Sequence, residues 1–82
     1  MTTQSKGISK FKREEELYYF LALTSLIDGT SVYELGLELK FQEKLENFEA
    51  CSGIQKALKD AEVKSYSELR LIATELNDKY EF

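Results

Sequence analysis

Cys51 is the only thiol in this 82-residue chain, and no histidine accompanies it. Imidazole is the usual activator of a serine or cysteine nucleophile and the commonest metal-binding side chain. A structural zinc takes four ligands, almost all Cys or His, and a single cysteine falls far short. The 15 acidic residues show no calcium-loop spacing. Glu34 and Glu38 share a helical face, as do Glu43 and Glu46, and they read as solvated faces, not as acid/base pairs. No glycine-rich phosphate loop is present. The residue types point to a chain without catalytic residues, metal or cofactor, with Cys51 as a buried or half-buried reduced thiol.

The elements that would position these side chains are marked by a repeated spacing. Ser31-x-x-Glu34, Ser52-x-x-Gln55 and Ser65-x-x-Glu68 each precede an apolar run. In such a capping box the serine hydroxyl accepts from the N–H three residues on, and the Glu or Gln side chain accepts from the serine N–H. A first helix is expected from about Lys12 to Ile27, with Glu14, Glu15 and Glu16 in its first turns at the positive end of the helix dipole and Asp28-Gly29 as its stop. Its apolar side chains, from Leu17, Tyr18, Tyr19 and Phe20 to Ile27, surround most of the cylinder. That pattern belongs to a helix central in its fold or at a subunit contact. A short helix is expected over roughly Gly53 to Glu62, with Ile54, Ala57, Leu58 and Ala61 as its stripe, and a last helix from about Tyr66 to Tyr80.

Residues 32–42 support two readings. Tyr33, Leu35, Leu37, Leu39 and Phe41 alternate with polar residues or glycine, the period of a half-buried strand. The same residues are good helix formers, with Val32 alone β-branched, and Ser31 supplies a cap. As a helix the segment has two opposed apolar faces and either runs on to the Cys51-Ser52-Gly53 stop or breaks near Lys40. The expected fold class is all-α, a small bundle of three to five short helices. The alternative is α+β, with one strand at about 32–42 paired across a dimer. Residues 1–10 read as a flexible basic arm and 11–82 as a single helical domain. The longest uncharged run, Leu17 to Ile27, covers 11 residues, against the ~20 needed to span a bilayer. Without an apolar leader before Phe11, the chain reads as cytoplasmic.

Charge is uneven. Lys6, Lys10, Lys12 and Arg13 stand in a stretch without acids, while residues 14–82 carry all 15 acids and the other 7 basic residues. The acidic body disfavours broad nucleic-acid binding, and the basic arm is the one segment suited to phosphate. Ser31 through Leu39 resembles the first helix of a helix-turn-helix unit, with Leu35-Gly36 and Leu39 at its core positions. That resemblance implies DNA reading by the next helix, assisted by Lys6, Lys10, Lys12 and Arg13, although that helix would hold Glu43, Lys44, Glu46 and Glu49. Asp28-Gly29-Thr30-Ser31-Val32 resembles the carrier-protein pattern, in which a serine at a helix start accepts a phosphopantetheine arm. Here Thr30 stands where that pattern has Asp, and the preceding loop is short.

The favoured expectation is a small non-catalytic protein–protein interaction module, a regulator, adaptor or inhibitor. Its partner is another protein, foremost a second copy of itself. The chain carries more apolar helical surface than a domain of this size hides, and large exposed apolar patches mark contact sites. Tyr18, Tyr19, Leu37, Phe41, Leu45 and Phe48 are the expected contact residues.

Overall fold

A computed structural model describes residues 10–82, and the expected arm at 1–9, Lys6 included, lies outside the described residues. The described chain forms four helices, α1 (Lys10–Ile27), α2 (Val32–Lys44), α3 (Phe48–Val63) and α4 (Tyr66–Tyr80). Among the described residues there is no strand, so the small all-α bundle is the architecture and the 32–42 strand alternative is not realised.

Two of the three capping boxes form as the spacing predicts. Glu34 N–H donates to Ser31 Oγ and Ser31 N–H to Glu34 Oε1, both at 3.0 Å. Glu68 N–H donates to Ser65 Oγ at 3.2 Å and Ser65 N–H to Glu68 Oε1 at 2.8 Å. The Ser65 N–H holds the Glu68 carboxyl below the ordinary carboxylate range. Gly29 ends α1 in the left-handed region at φ +111°. Its N–H donates to the Leu26 carbonyl and that of Thr30 to the Ser25 carbonyl, a Schellman motif that satisfies the last carbonyls of the helix.

Four expectations are corrected. Helix α1 is described from Lys10, so Glu14–Glu16 lie past its first turn, where the dipole argument no longer applies. Ser52 is no helix start: it sits inside α3, whose cap is Asn47, with Oδ1 accepting from Ala50 N–H at 3.3 Å. The break after α2 falls at residues 45–47, neither near Lys40 nor at 51–53. It is a second Schellman motif, in which Glu46 N–H donates to the Glu43 carbonyl and Asn47 N–H to that of Gln42. Glu46 takes φ +57° there, a conformation in which glycine is usual, so the sequence carries no glycine to announce the stop. Finally, Gly53 is not punctuation. A Cβ on it would lie 2.5 Å from the Glu15 carbonyl oxygen and 2.6 Å from the Tyr19 nitrogen. It is the point where the α1 and α3 backbones touch.

Helix α1 is the central element, as its encircling apolar residues predict. It packs between α3 and α4, while α2 lies mainly against α3, toward the edge of the fold. Glu15 meets Ser52, Glu16 meets Lys56 and Tyr19 meets Asp60, so contacts advance the same way along α1 and α3 and the two run parallel. Tyr80 and Lys79 meet Glu16, so α4 returns antiparallel. The array is flat, 43 × 31 × 18 Å. Its core is Tyr19, Leu23, Leu26, Leu35, Ile54, Leu69 and Leu76 with the alanines between them. A flat array buries less per residue than a sphere, and the outermost helix bears the consequence.

Candidate protein-binding face

Helix α2 divides into four rows at a spacing of four residues, one row to each side of the cylinder. Leu35, Leu39 and Glu43 form the inner row, in which Leu35 is 5% exposed and the only fully buried residue of the helix. Tyr33, Leu37, Phe41 and Leu45 form the row directly opposite, at 75%, 49%, 54% and 58% exposure. Phe48, at the start of α3, is 65% exposed. Between inner and outer rows stand an acidic-side row, Glu34, Glu38 and Gln42, and a row of Gly36, Lys40 and Lys44. Gln42 Nε2 donates to Glu38 Oε2 at 2.7 Å and so fixes part of the acidic rim.

Leu37, Phe41, Leu45 and Phe48 therefore stand on the surface. Tyr18 is half-buried and accepts from Asn47 Nδ2 at 3.4 Å, behind the α2–α3 turn. Tyr19 does not belong with them. It is 5% exposed and part of the core, because its position on α1 faces α3 and its hydroxyl reaches Asp60 there. Tyr33 belongs to the outer row. The two-residue alternation had grouped it with Leu35, whereas the helical period separates the two by half a turn.

Of the expected basic residues, Lys10, Lys12 and Arg13 stand in the first turn of α1. Lys10 is exposed, and Lys12 Nζ stands 3.8 Å from Glu15 Oε1. The Arg13 guanidinium lies 5.8 Å from the Tyr80 ring centroid and 5.7 Å from that of Phe82, close enough for cation–π contact with the end of the chain. Arg13 thus ties the segment after α4 to α1.

Polar groups elsewhere in the molecule join helices. Glu16 is 6% exposed. It accepts from Tyr80 Oη at 3.1 Å and pairs with Lys56 at 3.4 Å and Lys79 at 3.9 Å, so one carboxylate holds α1, α3 and α4. Ser52 Oγ donates to Glu15, and Tyr19 Oη donates to Asp60. A groove of about 390 Å³ between α1 and α4 has Phe20, Ile27 and Ala73 among its walls. Its threonine hydroxyls, Thr24 and Thr74, donate to backbone carbonyls of their own helices. Cys51 is buried, and that burial, reinforced by the charge of Glu43, pushes its thiol pKa up. A raised pKa makes the reactive thiolate scarce at neutral pH. Among the described residues, no three Cys, Asp or Glu side chains gather as a metal site, and no helix is long and apolar enough to cross a membrane.

Tyr19 gives a pH prediction. Burial first, then the hydrogen bond to Asp60, hold its phenol protonated well above the ordinary tyrosine range. A pKa raised on folding contributes stability that is full below the unfolded value of about 10 and is lost as pH rises beyond it. Urea midpoints at pH 8 and pH 11 should therefore fall further for the wild type than for Tyr19→Phe. Equal falls would count against a buried Tyr19 phenol held by Asp60.

No protein-family model, curated protein or solved structure matches this chain.

Proposed function

We propose that this chain is a small non-catalytic protein–protein interaction module, a regulator, adaptor or inhibitor, whose contact surface is the outer row of α2 continued by Leu45 and Phe48. The supporting observation is the opposition of rows on one helix: Leu35 anchors α2 to the fold while Tyr33, Leu37 and Phe41 point directly away from it. A helix at the edge of a bundle ordinarily has one apolar stripe and a polar outer face. Two stripes on one short helix fit a second protein surface covering the outer one. Aromatic and leucine side chains presented by a regular helix, with Glu and Lys at the rim, match the usual anatomy of such a contact. The lone buried thiol suits a reducing, cytoplasmic setting.

The test is a photoreactive side chain at position 37 in the source cell, with a second probe at Glu75 on α4 as reference. Position 37 should give a discrete protein adduct. The adduct should disappear in Phe41→Glu, with the helical circular dichroism unchanged, and should be absent from position 75. No adduct, or the same adducts from both positions, would remove α2 as the contact surface.

A further inference from the structure

We infer that the occupant of the α2 face is a second copy of this chain, seated α2 against α2 about a two-fold axis that runs along the row Tyr33–Leu37–Phe41. The inference rests on the protein-binding reading of that face and adds what covers it.

Tyr33, Leu37, Phe41, Leu45 and Phe48 are each about half exposed or more. Together they expose on the order of 600–700 Å², so two copies can cover at most roughly 1,300 Å², the lower end of the range of about 1,200–2,000 Å² for a specific interface. One copy supplies nearly all that its half of such an interface requires.

Side chains four residues apart form ridges inclined at about 26° to the helix axis, and aligning two such ridges crosses the helices at about 50°, the commonest class of helix packing. A two-fold axis along the ridge exchanges its flanks. Lys40 and Lys44 of each copy then face Glu34 and Glu38 of the partner subunit. The rim of α2 is self-complementary in this arrangement, although the whole chain carries a charge of −4. Opposed rims set the register and offset that like-charge repulsion.

Gly36 lies inside α2. Glycine inside a helix costs about 1 kcal/mol relative to alanine. Nothing lies within 4 Å of the position its Cβ would occupy, so packing within one molecule gives no reason for it. It stands beside Leu37 and one turn before Lys40, at the edge of the exposed row. A missing side chain there leaves a notch through which a second helix can come close. Gly53 shows what the close approach of a second helix looks like when both helices belong to one chain.

Sedimentation equilibrium on the full chain tests this. The wild type should dimerise reversibly in the micromolar range, and Phe41→Glu should weaken dimerisation roughly 30-fold or more, as removal of an interface hot spot does. Gly36→Ala should melt higher than wild type at concentrations where both are monomers, yet dimerise more weakly. The variants Glu38→Lys and K40E/K44E, which leave the Ser31–Glu34 capping box in place, should each dimerise more weakly alone and recover dimer when mixed in equal amounts. A wild type monomeric at high micromolar concentration, an unaffected Gly36→Ala dimer, or a mixture no more dimeric than its parts would each overturn the two-fold arrangement. If the wild type is monomeric while position 37 still captures a different protein, this inference fails and the protein-binding face stands. Loss of both results removes both readings.

Discussion

Gly53→Ala should lower the stability of this protein by on the order of 3 kcal/mol, against the roughly 4–12 kcal/mol typical of a domain of this length. The new methyl would meet the Glu15 carbonyl oxygen at 2.5 Å, the Tyr19 nitrogen at 2.6 Å and Tyr18 Cβ at 2.9 Å. Two of those three atoms are backbone, so no rotamer change makes room and α1 must move off α3 as a body. That movement loosens the core at Tyr19, Leu23 and Ile54 and disturbs the Ser52–Glu15 and Tyr19–Asp60 contacts. Alanine's better helix propensity returns about 1 kcal/mol. Overpacking costs typically 1–3 kcal/mol, and more where backbone must shift. The melting midpoint should fall by roughly 12–24 °C, since each kcal/mol moves a domain of this size by about 4–8 °C. Circular dichroism at 222 nm reads it. Gly36→Ala is the internal control, with open space at its Cβ and an expected gain of about 0.5–1 kcal/mol for the monomer. A Gly53→Ala protein that melts with the wild type would refute the close α1–α3 contact.

The second large effect is Leu35→Ala, at about 2–4 kcal/mol, the usual range for truncating a buried leucine. Leu35 is the only fully buried side chain of α2, and half-buried Leu39 is the other apolar residue of the inner row. Few other apolar contacts hold this helix, so the loss should fall on α2 before it reaches the rest of the fold. Hydrogen exchange checks this: α2 amides should lose protection in Leu35→Ala while those of α1 and α3 keep most of theirs. Equal loss throughout would show that the four helices unfold as one unit. Because the outer row depends on α2 being folded and docked, Leu35→Ala should also weaken the position 37 crosslink and self-association. Phe41→Glu, by contrast, removes binding without lowering helix content. The two variants therefore separate an anchor residue from a contact residue on the same helix.

Much of the local structure is legible in the chain because it depends on neighbours only a few residues apart. Ser31–Glu34, Ser65–Glu68 and Gly29 each set a helix end by contacts within six residues, and all three ends lie where the residue types place them. The pattern of Leu69, Ile72, Ala73 and Leu76 likewise marks α4, because a period of 3.6 is a property of the helix itself. Leu37, Phe41, Leu45 and Phe48 are recognisable as surplus apolar residues for the same reason. Where a local signal is silent or shared, the chain alone misleads. Glu46 adopts a glycine-like conformation without being glycine, so the stop at 45–47 carries no mark. Ser52 has the spacing of a cap, yet its hydroxyl is used by Glu15, 37 residues away in sequence.

Tertiary contact alone decided which glycine matters to packing, which tyrosine is core and which row of α2 faces out. Gly29, Gly36 and Gly53 look alike in sequence. They differ because one sits in a left-handed turn, one faces open space and one faces another backbone. Tyr18 and Tyr19 are adjacent and chemically the same, and the direction of α3 buries the second while leaving the first at the boundary. The sequence by itself determined where α2 and α4 begin, where α1 ends, and that the chain lacks histidine and a second cysteine. Only the packing of helix on helix assigned burial, because burial depends on which elements approach one another, and the spacing of residues along one helix does not contain that information.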